Sequence, residues 1–165
     1  MSTESAKQGD AGDAHVHGLP GHLIRRCHQI AVALFLEECA GQDVTPIQYA
    51  VLSLLREYGS MDQITLAGYA ALNRSTTGEV VARLEARGLL DRGDNPEDRR
   101  VRLLHLTTKG ARLLDRLEVP VQRVQERILA PLSAAERTRF IDCLDRIATA
   151  NNEFSRAPLR SRPQE

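Results

Sequence analysis

Along most of the chain, hydrophobic side chains return every three or four residues, which is the spacing of amphipathic α-helices. The first such stretch runs from Pro20 to about Cys39, and Gly41 ends it. The second starts at Thr45-Pro46-Ile47-Gln48, where threonine suits the N-cap, proline suits the first helical position and glutamine completes a capping box. Gly59 ends this stretch. The pattern therefore predicts two helices before residue 60.

Two shorter helices and a hairpin are predicted next. Asp62 can cap a short helix, and after a break at Asn73-Arg74-Ser75 another helix continues to Arg87. The helical spacing of hydrophobic residues ends after this helix. Two short segments, Leu89–Arg92 and Val101–Leu106, then flank a loop rich in turn-forming residues. These two segments are predicted to pair as a β-hairpin.

The last third of the chain is predicted to be helical again. Thr107 can cap a long helix, which Pro120 should bend or weaken and Pro131 should end. Ser133 and Glu136 have the spacing of a capping box and predict the start of a final helix. The resulting order is four helices, a hairpin and two helices, so the predicted fold class is mainly α with a β-hairpin.

Composition limits the size and surroundings of this fold. With 165 residues, 42% of them hydrophobic and 27% charged, the chain is expected to form one globular domain. No apolar run approaches the ~20 residues that span a bilayer, and the polar N-terminus does not resemble a secretory signal. Cys27, Cys39 and Cys143 are far apart and predict neither a disulfide framework nor a redox pair. We therefore expect a cytoplasmic protein.

The order of the elements points to DNA. Two short helices joined by a tight turn and followed at once by a hairpin are typical of a winged helix-turn-helix, whose second helix enters the major groove by its N-terminal turn. The hairpin, or wing, reaches phosphates or the minor groove, where arginine is favoured. We predict DNA contacts from the polar start of the second helix and from the hairpin tip, namely Arg74, Ser75, Thr76, Thr77, Arg99 and Arg100. Asp98 is predicted to fix the wing loop. An ordinary cap cluster and a solvated hairpin tip remain the alternatives.

Charge supports DNA binding only modestly. The chain has 22 basic and 22 acidic residues, and residues 73–109 carry eight basic against six acidic side chains. So small an excess predicts weak binding by one subunit. A two-fold dimer on a pseudo-palindromic site in double-stranded DNA would double the contacts, which fits the long terminal helices.

Three short motifs resemble those of the MarR family of bacterial transcriptional regulators. They are Leu84-Glu85-x-x-Gly88-Leu89, Asp98-Arg99-Arg100 and Leu106-Thr107-x-x-Gly110, and the resemblance covers about residues 20–150. It implies a homodimer held by the N- and C-terminal helices, a winged helix-turn-helix on each subunit, and repression that a small ligand often relieves. Glu79 departs from the family, whose members often have a basic or small polar residue there.

Composition and the resemblance together set the expected domain boundaries. Residues 1–17 and 156–165 are predicted to be tails, the first of them disordered because it lacks large apolar side chains. Residues 18–155 are predicted to form the winged helix-turn-helix domain with its dimerisation helices, and the DNA-binding lobe is expected at about residues 46–106.

A further resemblance suggests the class of effector. Residues 18–26, GLPGHLIRR, together with Thr45-Pro46-x-Gln48-Tyr49, are similar to members that control the catabolism of aromatic acids. This implies an aromatic carboxylate or its coenzyme A thioester as effector, bound between the dimerisation helices and the DNA-binding lobe. Such a ligand needs cations or donors and an aromatic or apolar wall. The candidates are His22, Arg25, Arg26, His28, Tyr49 and Tyr69. A solvated basic helix face would give the same pattern.

Other functions fit the sequence less well. Histidines 15, 17, 22 and 28 and Cys27 are irregularly spaced, so no metal site or cofactor is predicted. No catalytic pair, activated nucleophile or phosphate loop is recognisable, and an enzyme is not expected. A redox-sensing repressor acting through Cys27 and a non-catalytic protein-interaction module are the two alternatives that remain.

Overall fold

A computed structural model describes residues 16–160. Most of the predicted N-terminal tail (residues 1–15) and residues 161–165 of the predicted C-terminal tail therefore lie outside the described part, whereas residues 16–17 and 156–160 lie inside it. The helices are α1 (Pro20–Glu38), α2 (Pro46–Tyr58), α3 (Gln63–Tyr69), α4 (Arg74–Ala86), α5 (Thr108–Leu129) and α6 (Ala134–Ala150). The strands are β1 (Met61–Asp62), β2 (Leu90–Asp94) and β3 (Arg102–Leu106). A 3-10 turn follows at Asn152–Phe154.

Side-chain caps explain why the helices begin where they do. Thr45 and Gln48 form the predicted capping box of α2, and Ser133 and Glu136 form that of α6. The side chains of Asp62, Asn73 and Thr107 accept hydrogen bonds from the first turns of α3, α4 and α5. Each of these side chains satisfies an amide that has no partner inside its own helix.

The sheet has three antiparallel strands in the order β1-β3-β2. The predicted hairpin is confirmed, with Leu90 opposite Leu106 and Asp94 opposite Arg102. The additional strand, β1, pairs Met61 with Leu104. It was not predicted, because two residues are too few to show a period of two. On β3, Leu104 is completely buried, whereas Leu103 is half-buried between Asp62 and Gly93.

The core lies where the wing, the helix-turn-helix and the long helices meet. Leucine and valine fill it, as expected for a chain with 4% aromatic residues. Its fully buried side chains come from α2, α3, α4, β2, β3 and α5, and include Leu52, Leu66, Leu84, Leu90, Leu104 and Leu114. The wing is therefore anchored to the same core as the helices that it follows.

The start of α5 packs tightly under the wing. The Thr107 amide donates to the Leu89 carbonyl at 3.2 Å, and the Thr107 hydroxyl donates to the Gly88 carbonyl at 2.8 Å. Gly110 is buried there, and a Cβ on it would overlap the Leu89 carbonyl oxygen and lie 2.7 Å from Leu106 Cδ1. The motif Leu106-Thr107-x-x-Gly110 is thus the joint between wing and helix.

Helix α5 continues without interruption through Pro120, which the sequence predicted as a bend or weak point. Its second half packs on α1 and is joined to it by ion pairs. Arg127 Nη1 lies 2.6 Å from Glu38 Oε1 and 3.1 Å from Glu37 Oε1, and Arg123 lies 3.6 Å from Glu38.

Helix α6 is the least enclosed element, because none of its residues is buried. The C-terminal segment, residues 151–160, turns back from its end. The Arg160 amide donates to the Gly68 carbonyl on α3 at 3.0 Å, although residues 156–160 were predicted to be part of a tail. Among the described residues, no helix is both long enough and apolar enough to cross a membrane.

Candidate DNA-binding surface and ligand pocket

The N-terminal turn of α4 presents a polar, exposed surface. Asn73 organises it, since its side-chain oxygen accepts from the Thr76 amide at 2.9 Å and from the Ser75 hydroxyl at 2.8 Å. Arg74 and Ser75 are exposed, and Thr76 is half-buried. The Ser75 oxygen therefore keeps its acceptor sites for a partner outside the protein. The alternative interpretation, that these polar residues only cap the helix, is correct in part. Asn73 is the N-cap of α4, and the Ser75 hydroxyl donates a hydrogen bond to its side chain.

Thr77 does not belong to this surface. Its side chain is completely buried, and its hydroxyl donates to the Asn73 carbonyl at 2.8 Å. The prediction of a DNA contact at Thr77 is therefore wrong. Residues 73–77 read as a uniformly polar run, but a helix turns by about 100° per residue and directs the last of them inward.

The wing loop is fixed by its own acidic and amide side chains. The Asp98 carboxylate accepts from the Arg100 amide at 2.9 Å, and the Asn95 side chain accepts from the Glu97 amide at 3.0 Å. Asp98 thus holds the loop through backbone hydrogen bonding, which agrees with the loop-fixing role predicted for it. Arg99 and Arg100 are exposed at the return of the loop into β3.

A cleft of about 400 Å³ separates the wing from the helix-turn-helix. Its basic lining consists of Arg74, Arg92, Arg100 and Arg102. Two of these are neutralised locally, because Arg92 pairs with Glu85 at 3.0 Å and Arg102 pairs with Asp94 at 2.6 Å. Within residues 16–160, Arg74 and Arg100 have no carboxylate partner. They are the cations of the cleft that remain available to an external anion.

Asp62 also lines this cleft and caps α3. Burial alone would raise its pKa, but hydrogen bonds from the Thr65 hydroxyl at 2.5 Å and from the amides of Ile64 and Thr65 outweigh burial, so the pKa is lowered. The carboxylate therefore stays charged and holds α3 in place. Arg92 and Arg102 of the cleft were not predicted as site residues. The predicted hairpin was the signal for them, since Arg92 belongs to its first strand and Arg102 begins its second.

A second pocket, also of about 400 Å³, lies between α1, the start of α2 and α4. Its wall is mainly apolar, with a few polar groups. The lining residues are His28, Val32, Leu36, Thr45, Pro46, Ile47, Gln48, Thr76, Glu79, Val80 and Arg83. The residues from α4 follow helical spacing from Thr76 to Arg83, so one face of the predicted recognition helix forms a wall of the pocket.

The structure brings only one of the predicted effector residues to this pocket, namely His28. His22 and Arg25 instead contact neighbours on or next to the exposed start of α1, His17 and Gln29 respectively, and Arg26 is exposed there too. Tyr49 packs against Phe35, and Tyr69 against Tyr58, away from the pocket lining. These five residues therefore do not line this pocket, and their predicted role in effector binding stays a prediction. Arg83 and Glu79 were missed as pocket residues, although their spacing from Thr76 could have revealed them.

The three cysteines differ in their exposure. Cys27 and Cys143 are exposed, whereas Cys39 is buried, and burial raises the pKa of its thiol. In the described ranges, no group of three or more His, Cys, Asp or Glu side chains is placed to hold a metal ion.

Comparisons with known proteins agree with this geometry. Residues 44–101 match the MarR family. The HTH-type transcriptional repressor NicR of Pseudomonas putida is 33% identical over 73% of this chain and 77% of its own length. The PcaV transcriptional regulator of Streptomyces coelicolor, solved with its natural ligand, is 42% identical, with 86% and 99% coverage and a TM-score of 0.75. Bordetella bronchiseptica BpsR, whose DNA binding is regulated by 6-hydroxynicotinic acid, is 30% identical, with 78% and 97% coverage and a TM-score of 0.73.

Proposed function

The chain belongs to the MarR family of transcriptional regulators and is not an enzyme, and from this premise we propose that it is a homodimeric repressor released from its operator by a small aromatic acid. The observation that carries the proposal is the shared wall of the pocket. Thr76 takes part in the exposed N-terminal turn of α4, and the same residue lines the pocket together with Glu79 and Arg83. A ligand there would touch the helix that enters the major groove.

On the DNA side, the proposal assigns separate tasks to the two parts of the lobe. Arg74, Ser75 and Thr76 would contact base edges and phosphates from α4, and Arg99 and Arg100 would contact the backbone or minor groove from the wing. Arg92 and Arg102 each pair with a nearby carboxylate, which supports this division. Among the described residues, the cleft arginines without such a partner are Arg100 in the wing loop and Arg74 on α4. Thr77 has no part in the contact.

On the effector side, the polar groups of the pocket indicate the ligand's chemistry. Arg83 and His28 can bind a carboxylate, while Val32, Leu36 and Val80 offer an apolar wall for a ring. Glu79 is the one acid in the lining, and it favours a ligand that also carries a hydroxyl or ring N–H donor. The ligand named for BpsR, 6-hydroxynicotinic acid, combines these features. A coenzyme A thioester would place only its acyl end in a pocket of this size.

The dimer is supported by apolar surface that one chain leaves uncovered. On α1, Leu23, Ile24 and Ile30 are between 42% and 52% exposed, and on α6, Ile141, Leu144 and Ile147 are between 41% and 54% exposed. On α6 these three residues are spaced by three and share one face of the helix, and an exposed apolar face of this kind is typical of an interface. A second copy of the chain is the proposed cover, as in other symmetric regulators that read two half-sites.

The test begins with selection of bound fragments from the host genome, followed by fluorescence anisotropy on the recovered site. Titration with benzoate, hydroxybenzoates, 6-hydroxynicotinate and their coenzyme A thioesters should release DNA, with the free hydroxylated acids acting at the lowest concentrations. Arg83→Gln should raise the concentration for half release by about tenfold, because a charge-assisted hydrogen bond is lost.

Arg116→Gln is the matched control. Arg116 is exposed on α5 and bonds to Gln42 outside the pocket, so its removal should leave release unchanged. Equal release curves for Arg83→Gln and wild type would rule out the pocket as the effector site. Failure of every acid tested to release DNA would rule out the aromatic-acid class.

A further inference from the structure

The C-terminal segment turns back from α6 and rests on the helix-turn-helix of the same chain. Asn152 closes it into a loop, since its side-chain nitrogen donates to the Leu159 carbonyl at 2.9 Å and its oxygen accepts from the Leu159 amide at 2.8 Å. Asn151 ties the start of the loop to α6 by donating to the Ile147 carbonyl at 2.8 Å. The segment therefore has a defined shape and is joined firmly to the end of α6.

Its far end occupies a specific position on α3. Gly68 lies in the last turn of that helix, where carbonyl groups lack partners inside the helix. Its carbonyl accepts from the Ala71 amide at 3.3 Å and from the Arg160 amide at 3.0 Å. The Arg160 side chain covers Gly68, and a Cβ on Gly68 would lie 2.8 Å from Arg160 Cδ and 3.1 Å from Arg160 Cβ. Only glycine leaves room for this contact.

The connection matters because α6 has no buried residue of its own. We propose that the C-terminal segment is a tether that fixes the angle between α6 and the DNA-binding lobe, and that its release weakens operator binding. If α6 belongs to the dimer interface, the tether joins that interface directly to the first helix of the helix-turn-helix. It restrains the orientation of each lobe and hence the spacing of the two recognition helices.

The expected effect on operator binding rests on the proposed DNA-binding function, whereas the contact between the C-terminal segment and α3 does not. The two are tested separately with Gly68→Ala. Alanine favours a helix, so α3 itself is not weakened, but its Cβ displaces Arg160. Gly21→Ala is the matched control, because a Cβ on Gly21 in α1 meets no atom within 4 Å. Asn152→Ala releases the loop by a different route and leaves Gly68 intact.

The first measurement is limited trypsin digestion of the full chain, followed by mass spectrometry of cleavage after Arg156 and Arg160. Both Gly68→Ala and Asn152→Ala should accelerate cleavage by at least about threefold, since local opening controls access to the protease. Gly21→Ala should match wild type. Equal rates in all four proteins would show that the segment is not seated on α3.

The second measurement is operator affinity as a function of salt. Gly68→Ala and Asn152→Ala should weaken binding by about threefold to tenfold without changing the salt slope, because no phosphate contact is removed. Faster cleavage with unchanged affinity would overturn the tether, and so would a smaller salt slope. If wild type binds no genomic fragment, the proposed function fails, and the digestion still decides whether the segment is seated.

Discussion

At the scale of single residues, Arg74 and Arg100 differ from the other two arginines that line the cleft. All four arginines lie between the wing and the helix-turn-helix, yet Arg92 and Arg102 are paired with Glu85 and Asp94. A guanidinium already bound to a carboxylate gains less from a phosphate. Counting arginines in the sequence therefore overstates the charge that this surface offers to DNA.

The first prediction concerns Arg100. Replacing it with alanine should weaken operator binding by about tenfold and lower the salt slope by about one, because one phosphate or minor-groove contact is lost. Arg123→Ala is the control, since Arg123 pairs with Glu38 on the half of α5 that packs against α1. Anisotropy titrations at several salt concentrations measure both quantities. The same loss in both variants would contradict a specific role for the wing.

The second prediction concerns Asp62, whose pKa is lowered in the folded protein by hydrogen bonds to the start of α3. Its charged form stabilises the fold above its ordinary pKa of 3.8, and that contribution is lost as the pH falls through the lowered value. Asp62→Ala should reduce the free energy of unfolding by about 1 kcal/mol at pH 7. The difference from wild type should shrink below pH 4 and vanish under more acidic conditions.

Urea unfolding at several pH values measures this difference. Asp91→Ala is its control, because Asp91 is exposed on β2 and makes no side-chain hydrogen bond or ion pair within the described residues. A deficit in Asp62→Ala that persisted unchanged at low pH would mean that packing, and not the charged cap, supplies the stability.

At the scale of elements, the sequence predicted helices well wherever a cap marked the boundary. Thr45, Asp62, Thr107 and Ser133 all stand at the N-caps that their side chains suggested. Strand β1 escaped prediction because it forms only by pairing with β3, which lies about 40 residues further along the chain. A helix cap depends on residues that are neighbours in the sequence, whereas strand pairing depends on residues that are far apart in it.

The third prediction concerns the joint between wing and helix. Gly110→Ala should reduce the free energy of unfolding by about 1–3 kcal/mol, because its Cβ would overlap the Leu89 carbonyl and force α5 away from the wing. Gly78→Ala is a contrasting change in α4, where a Cβ meets only Gln63 Nε2 at an ordinary 3.5 Å. It should be neutral or stabilising. Equal destabilisation of the two variants in thermal unfolding would refute this account of Gly110.

At the scale of the whole molecule, the pocket between α1, α2 and α4 was the hardest feature to predict. Its lining comes from α1, α2 and α4, which meet only after the chain has folded. The predicted effector residues of α1 were chosen because they are close in sequence and basic, yet His28 alone faces the pocket. The charged residues Arg83 and Glu79 reach this pocket from α4, and their place there depends on how the helices pack, which the sequence does not show.

The last prediction concerns the assembly. Leu144 lies in the middle of the apolar stripe of α6, while Asp142 and Arg146 pair at 3.8 Å on the opposite face. Leu144→Glu should place an unpaired carboxylate in the dimer interface, which is costly, and the chain should become monomeric at micromolar concentration. Operator affinity should fall by at least about tenfold, since a single lobe reads a single half-site.

Analytical ultracentrifugation measures the association state. Ala135→Glu is the matched control, because it adds the same charge to an exposed position opposite the stripe and in the first turn of α6, where an acid is tolerated. It should remain dimeric and bind DNA as wild type does. If Leu144→Glu also sedimented as a dimer, α6 would lie outside the interface. The C-terminal segment would then connect the DNA-binding lobe to a free helix, and the tether could no longer set the spacing of the two recognition helices.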